Sequence, residues 1–105
     1  LKDDVPVYLT PTIVQEILQG VVSDEQFVNI QLRLMAFPIL MFEQLEAAIG
    51  AAELYRKTRK SGLTVRKSVD CLIAWHALRA DLPILHRDRD FAALARVSDL
   101  SIIQV

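Results

Sequence analysis

Apolar residues recur every three or four positions along most of the chain, which is the spacing of one buried face of an α-helix. The first helix is predicted to begin after Thr10, a good N-cap residue, with Pro11 at its first position. Gly20 is predicted to end it. The same spacing predicts further helices over residues 23–36, 43–60, 69–80 and 91–97.

The helix over residues 43–60 is predicted to bury an apolar face. Gly50 lies near its middle, where the absence of a side chain allows a second helix to approach closely. The basic side chains within residues 57–60 complement the negative end of the helix dipole, and Gly62 is predicted to end the helix. The predicted buried face consists of Leu45, Ala48, Ile49, Ala52 and Tyr55.

Short apolar segments between the helices predict β-strands at residues 7–9, 84–85 and 100–103. Residues 37–42 are also apolar, but Pro38 favours a short extended piece over a central strand. Strands that alternate with helices are typical of an α/β sandwich with a mostly parallel sheet. The pattern therefore predicts a single α/β domain over residues 1–105.

The stretch around the fourth helix brings acidic residues to the ends of regular elements. Ser68 is predicted to be the N-cap, which puts Asp70 at the second helical position, where the helix dipole favours negative charge. The strand at residues 84–85 is followed by Asp88 and Asp90. Open α/β sheets place functional residues at the carboxyl ends of their strands, so these carboxylates are candidates for chemistry.

Composition limits the class of protein. The chain has 105 residues, of which 52% are hydrophobic, so it can bury a core and is not expected to be disordered. Cys71 is its single cysteine, which excludes an internal disulfide. A cytoplasmic location is the expectation for such a chain.

Charge is unevenly distributed. Residues 1–54 carry eight acidic and two basic side chains, a net charge of −6, whereas residues 55–105 carry five acidic and ten basic ones, a net charge of +5. A basic run beside acidic residues suits a bound polyanion, although a solvated helix end explains the same run. The basic residues concerned are Arg56, Lys57, Arg59, Lys60, Arg66 and Lys67.

The candidate site is a group of four carboxylates. Carboxylates that come together raise one another's pKa, so their cluster is unfavourable unless a cation neutralises it. Mg²⁺ and Mn²⁺ prefer oxygen ligands, and such a site can support metal-assisted hydrolysis of a phosphodiester. The members of the predicted group are Glu16, Asp70, Asp88 and Asp90.

Each of these residues also has a purely structural interpretation. Glu16 fits a solvated position in the middle of a helix, and Asp70 fits a first turn that is stabilised by the dipole. Asp88 or Asp90 fits the N-cap of the final helix. The residue pattern leaves both interpretations open.

Other reactive side chains are interpreted as structural. His76 is expected to be a hydrogen-bonded core residue, and neither it nor His86 has Cys or His neighbours at the spacing of a zinc site. Cys71 lacks the histidine partner of a nucleophile and is expected to pack in the core, as is Trp75.

Three segments match those of a known family in their order and spacing. They are PTIVQEILQG around Glu16, the run from Tyr55 to Ala74 that contains YRK, GLTV and DCLIA, and LPILHRDRDFAALA over residues 82–95. In these segments the chain resembles the PIN domain and, within that family, the VapC-like toxins of bacterial toxin–antitoxin pairs.

The resemblance implies an α/β/α sandwich and a Mg²⁺- or Mn²⁺-dependent ribonuclease, usually a homodimer that a cognate antitoxin inhibits. It makes Asp70 and Asp88 the principal metal ligands, supported by Glu16 and Asp90. In the family, the antitoxin packs an amphipathic segment into a groove between the early helices, here around Ile13, Phe27 and Phe37. The candidate RNA contacts are Arg56, Lys57, Arg66 and Lys67.

One part of the family pattern is missing. The family opens with a strand that ends in an Asp, and Asp3 and Asp4 do not match it because no apolar strand precedes them. The chain is therefore expected to be a fragment that lacks its first strand, about thirty residues. Weak or no activity is expected from these 105 residues alone.

Two other functions compete with the ribonuclease. One is a catalytically inactive PIN-like module that binds RNA or an antitoxin without cutting. The other is phosphoryl transfer through an aspartyl nucleophile, which Asp88 and Asp90 suggest by following a strand. The second fits poorly, because that motif normally follows the first strand and needs a downstream lysine.

Overall fold

A computed structural model of the chain describes residues 6–85 and 89–103. The described part contains five helices and two short strands, and it divides into one compact unit that ends at Met41 and another that begins at Phe42. Within these residues, no helix is both long enough and apolar enough to cross a membrane. The predicted site residue Asp88, and also His86, lie outside the described residues.

The first unit contains helices α1 (Pro11–Gln19) and α2 (Asp24–Leu34), which pack on each other. The predicted N-cap of α1 is confirmed, since the backbone N–H of Ile13 donates to Thr10 Oγ1 at 3.2 Å. Ser23 caps α2 in the same way. Both helix starts follow from local chemistry, because a hydroxyl at the N-cap accepts from an N–H that has no partner within the helix.

The strand predicted at residues 7–9 is reduced to one parallel bridge between Leu9 and Ile39. The Leu9 N–H donates to the Pro38 carbonyl oxygen at 3.0 Å, and the Leu40 N–H donates to the Leu9 carbonyl oxygen at 2.8 Å. The segment that contains Pro38 is thus a short extended piece, as the sequence predicted.

The second unit is built on helix α3 (Gln44–Lys60) and helix α4 (Ser68–Ala80), which pack against each other. The predicted close approach at Gly50 is confirmed, because a Cβ there would overlap the indole of Trp75. The predicted buried face of α3 is wrong. Leu45 and Ile49 are 65% and 53% exposed. The side chains that α3 buries are Ala47, Leu54 and Thr58.

Helix α4 is buried on more than one side, and it begins one residue earlier than predicted. Ser68 is the first helical residue and Lys67 is the N-cap, which makes no side-chain capping hydrogen bond. Asp70 therefore lies at the third helical position, not the second. The buried residues of α4 are Asp70, Cys71, Ile73, Ala74, His76 and Ala77.

Strands β1 (Ile84–Leu85) and β2 (Ile102–Ile103) form a two-stranded parallel sheet in the described part, with Ile84 opposite Ile102. Between them lies helix α5 (Arg89–Arg96), which packs against α4 and α3. Phe91 and Leu94 are fully buried and anchor α5 to the core. The small parallel sheet confirms the predicted α/β class, while α5 begins two residues before the predicted start.

Candidate functional site

Asp70 is a buried carboxylate in the first turn of α4. Asp70 is only 5% exposed, and its backbone N–H donates to the Lys67 carbonyl oxygen at 3.0 Å. A helix start favours negative charge, but burial penalises an ionised carboxylate unless neighbouring groups compensate for the lost water. The position therefore favours an interaction with positive charge.

Asp90, at the start of α5, is even more buried, with 2% of its surface exposed. Its Oδ2 atom accepts from the backbone N–H of Arg66 at 3.1 Å, and its Oδ1 atom accepts from Arg66 Nε at 3.3 Å. The Arg66 side chain is 52% exposed, so its guanidinium also reaches solvent. Asp90 thus ties the loop before α4 to α5, across 24 residues of sequence.

The thiol of Cys71 lies within electrostatic range of both carboxylates. Burial and, to a smaller extent, the negative charges of Asp70 and Asp90 together raise the pKa of Cys71 to about 11. A thiolate at this position would be disfavoured by both effects. Cys71, which is 1% exposed, is therefore a neutral core residue, as predicted.

Asp70 and Asp90 offer oxygen donors, the ligand type that Mg²⁺ and Mn²⁺ prefer, so the donor chemistry fits a divalent ion. Within residues 6–85 and 89–103, no three His, Cys, Asp or Glu side chains are grouped so that they could hold a metal ion. Asp88 is outside these ranges, and Glu16 is an exposed residue of α1 in the first unit. The four-carboxylate centre stays a prediction.

The structural interpretation of the aromatic residues of α4 is confirmed. His76 is 6% exposed and its Nδ1 atom lies 2.8 Å from the Leu72 carbonyl oxygen, so it is a hydrogen-bonded core residue. Trp75 packs edge-to-face on Phe42, with ring centroids 5.4 Å apart. These contacts account for both side chains by packing.

The basic stretch from Tyr55 to Lys67 surrounds the end of α3 and leads into α4. Three of the predicted RNA contacts, Arg56, Lys57 and Lys67, are exposed. The fourth, Arg66, is also the partner of Asp90. Sequence analysis missed that Tyr55 and Arg59 line a pocket here, although an aromatic residue within a basic run is a recognised signal of nucleic-acid binding.

Comparison with known sequences identifies close relatives of the chain. It is 38% identical over 88 residues to the VapC ribonuclease Mb1587 of Mycobacterium bovis and to the ribonuclease VapC11 of Mycobacterium tuberculosis. Each match covers 84% of this chain and 66% of the relative. The chain thus spans slightly less than two thirds of the length of these relatives.

Solved structures share the fold. VapBC-1 from nontypeable Haemophilus influenzae matches with a TM-score of 0.76 at 16% identity, covering 99% of this chain and 78% of the other. VapBC-5, a toxin–antitoxin system from Mycobacterium tuberculosis, matches with a TM-score of 0.71 at 26% identity, covering 91% and 79%. Residues 1–97 also match the family model of the PIN domain. A buried aspartate at a helix start, a small parallel sheet and these matches agree, and the chain belongs to the PIN domain family.

Proposed function

We propose that this protein is a metal-dependent endoribonuclease, the toxin of a toxin–antitoxin pair, which hydrolyses RNA phosphodiester bonds. The observation that carries the proposal is the buried carboxylate of Asp70 at the start of α4, in a PIN-family chain that is 38% identical to proteins named VapC ribonucleases. A buried carboxylate that serves only as a helix-dipole partner is unusual, because first-turn acids are normally solvated.

In this proposal, Asp70 and Asp88 hold a Mg²⁺ or Mn²⁺ ion, and Glu16 supports them. When bound, such an ion polarises the phosphodiester and lowers the pKa of the attacking water. The ion would also offset the cost of burying Asp70 in its charged form.

Asp90 has a different part in the proposed site, because both of its oxygens already accept hydrogen bonds from Arg66. It acts as a positioning residue that fixes the loop before α4, and with it the start of the helix that carries Asp70. The carboxylate oxygens of Asp90 have further lone pairs, so Asp90 can also contact the metal ion directly.

The substrate in this proposal is held by cations near the end of α3 and the start of α4. Residues 55–67 contain six basic side chains and no acidic one. Phosphate contacts of this kind provide affinity without sequence specificity. The proposed contacts are Arg56, Lys57, Arg66 and Lys67.

The proposed protein partner is a cognate antitoxin, because the similar solved structures are of VapBC systems. The first unit offers a suitable surface: α2 and the residues after it expose apolar side chains, among them Leu32 at 67% and Met35 at 53%. An amphipathic segment of a partner would cover them. We also propose that the protein is cytoplasmic and forms a homodimer.

The test is RNA cleavage by the complete gene product with and without Mn²⁺ or Mg²⁺, in wild type and in Asp70→Asn. Cleavage is expected only with the metal, and Asp70→Asn is expected to lose at least about 100-fold in rate. Asp99→Asn is the matched control, since Asp99 is exposed in a turn before β2. Calorimetry of Mn²⁺ binding to the same variants provides a readout that is independent of turnover.

Unchanged cleavage or unchanged Mn²⁺ affinity in Asp70→Asn would contradict the assignment of this residue. An absence of both metal binding and cleavage, with RNA or antitoxin binding intact, would instead favour an interaction module without catalysis.

A further inference from the structure

A pocket of about 290 Å³ lies at the end of α3, apart from the carboxylates of the proposed metal site. Its size is just below the roughly 300–1,000 Å³ that is typical of ligand pockets, which suits a single base better than a larger ligand. Six residues line it: Tyr55, Arg59, Gly62, Leu63, Thr64 and Val65.

The way in which α3 ends creates this pocket. The Leu63 N–H donates to the Thr58 carbonyl oxygen at 3.1 Å, and the Gly62 N–H donates to the Arg59 carbonyl oxygen at 3.0 Å. Gly62 has φ of +74°, so the chain turns back sharply over the last turn of the helix. The loop from Gly62 to Val65 thereby lines the pocket together with Tyr55 and Arg59.

The wall formed by α3 combines an aromatic ring with a planar cation. The guanidinium carbon of Arg59 lies 5.8 Å from the centroid of the Tyr55 ring. A cation–π contact of this kind holds the guanidinium in place. Both an aromatic ring and a guanidinium plane are surfaces on which unpaired RNA bases stack, and a guanidinium also binds phosphate.

The electrostatic surroundings favour a polyanion. The thirteen residues 55–67 carry six basic side chains and no acidic one, which gives the segment a formal charge of +6. A small apolar ligand would gain nothing from these charges, whereas a nucleotide presents a phosphate together with a base. The combination of stacking surface and cations is typical of single-strand binding.

The pocket adjoins the residue that contacts Asp90, the positioning residue of the proposed site. Val65 lines the pocket, and the next residue, Arg66, donates to both carboxylate oxygens of Asp90. The same short loop therefore forms the pocket wall and contacts the carboxylate group.

We infer that this pocket binds one unpaired base of a single-stranded RNA, stacked on Tyr55 and the Arg59 guanidinium, next to the bond that is cut. The inference rests on the proposed ribonuclease function for its substrate. Tyr55 and Arg59 then select RNA whose bases are unpaired around the cleavage site, since a paired base cannot enter.

The experiment measures binding of a fluorescein-labelled single-stranded oligoribonucleotide by anisotropy in EDTA, so that metal-dependent cleavage does not interfere. Tyr55→Ala is expected to weaken binding about 5- to 100-fold, the range for loss of one stacked base. Tyr55→Phe keeps the ring and should bind within twofold of wild type. Tyr8→Ala is the matched control, because Tyr8 is 41% exposed and outside the basic stretch.

Salt dependence separates stacking from charge. Arg59→Gln is expected to lower the slope of log affinity against log salt concentration by about 0.7, the value for one phosphate contact on a single strand. Tyr55→Ala should leave this slope unchanged. Tyr55→Leu, which fills similar space without an aromatic face, should resemble Tyr55→Ala and carries the test if Tyr55→Ala fails to fold.

A duplex RNA of the same sequence should bind more weakly than the single strand and show no effect of Tyr55→Ala. The inference is overturned if Tyr55→Ala and Tyr55→Leu, both folded, bind the single strand within twofold of wild type. If the complete gene product binds single-stranded RNA through Tyr55 but does not cleave it, the ribonuclease proposal fails and the base-binding pocket stands. If it cleaves RNA but its binding does not depend on Tyr55, the ribonuclease proposal stands and the base-binding pocket fails.

Discussion

The indole of Trp75 lies against the backbone of Gly50, at a point where α3 and α4 are so close that no Cβ fits between them. The ring cannot easily move away, because Phe42 and His76 flank it at centroid distances of 5.4 and 5.3 Å. This contact therefore fixes both the separation of the two helices and the side of α3 that is buried.

Gly50→Ala is expected to destabilise the protein by about 1–3 kcal/mol, as is usual for overpacking, despite the higher helix propensity of alanine. Urea unfolding of the two proteins measures the difference. In a Trp75→Leu background the same substitution should be neutral or stabilising, since the clash is gone. An equal loss in both backgrounds would show that the contact is not the cause.

Asp90→Asn is expected to lower the free energy of unfolding by about 2–3 kcal/mol, because it weakens two hydrogen bonds from Arg66, one of which is part of an ion pair. Arg66→Gln should cost less, about 1 kcal/mol, because the backbone N–H remains and the arginine side chain is half exposed. Denaturant titrations of both variants test this order. Equal effects would mean that the backbone bond contributes little.

The ends of α3 and α4 provide a pair of opposite predictions. Asp81 has φ of +56° and places a negative charge at the C-terminus of α4, and both features are unfavourable. Asp81→Gly is expected to stabilise the protein by about 0.5–1 kcal/mol. Gly62→Ala should destabilise it by about 1 kcal/mol, because Gly62 has φ of +74°.

Thermal unfolding of both variants measures these changes. A Cβ at Gly62 would have no described atom within 4 Å, so the effect there is one of backbone conformation and not of a clash. Destabilisation by Asp81→Gly would indicate that the aspartate side chain, and not its backbone conformation, is what matters at that helix end.

The raised pKa of Cys71, about 11 against an ordinary value of 9.0, predicts a pH dependence of stability. The unfolded thiol ionises first, so the free energy of unfolding should fall as pH rises from about 9 towards 11. Cys71→Ala lacks this group and should lose less stability over the same interval. Denaturant unfolding at pH 8 and pH 10 in EDTA measures the difference, and identical losses in both proteins would contradict the shift.

Local chemistry made most of the elements predictable. The cap at Thr10 depends on residues three positions apart, and it was predicted correctly. The buried face of α3 was not, because alanines occur on more than one side of that helix and give its apolar pattern no clear direction. The contact with Trp75 decides the face, and this contact joins two separate helices.

In the candidate site, too, local features were predictable from the sequence and contacts between distant residues were not. The helix start that carries Asp70 was predictable within one residue from the local apolar pattern, although the predicted cap at Ser68 was wrong. The pairing of Asp90 with Arg66 was not, because it joins residues 24 positions apart. The spacing of apolar and polar residues along the chain gives no information about such a contact. Only folding brings Asp90 and Arg66 together.

One of the two hydrogen bonds between Arg66 and Asp90 is donated by the backbone N–H of Arg66, a group that every residue other than proline provides. Among related sequences, the acid at position 90 should therefore persist where position 66 varies, while proline at 66 should be rare. Substitution patterns at the two positions would then be asymmetric, and a covariation survey that looks only for charge swaps would overlook this link.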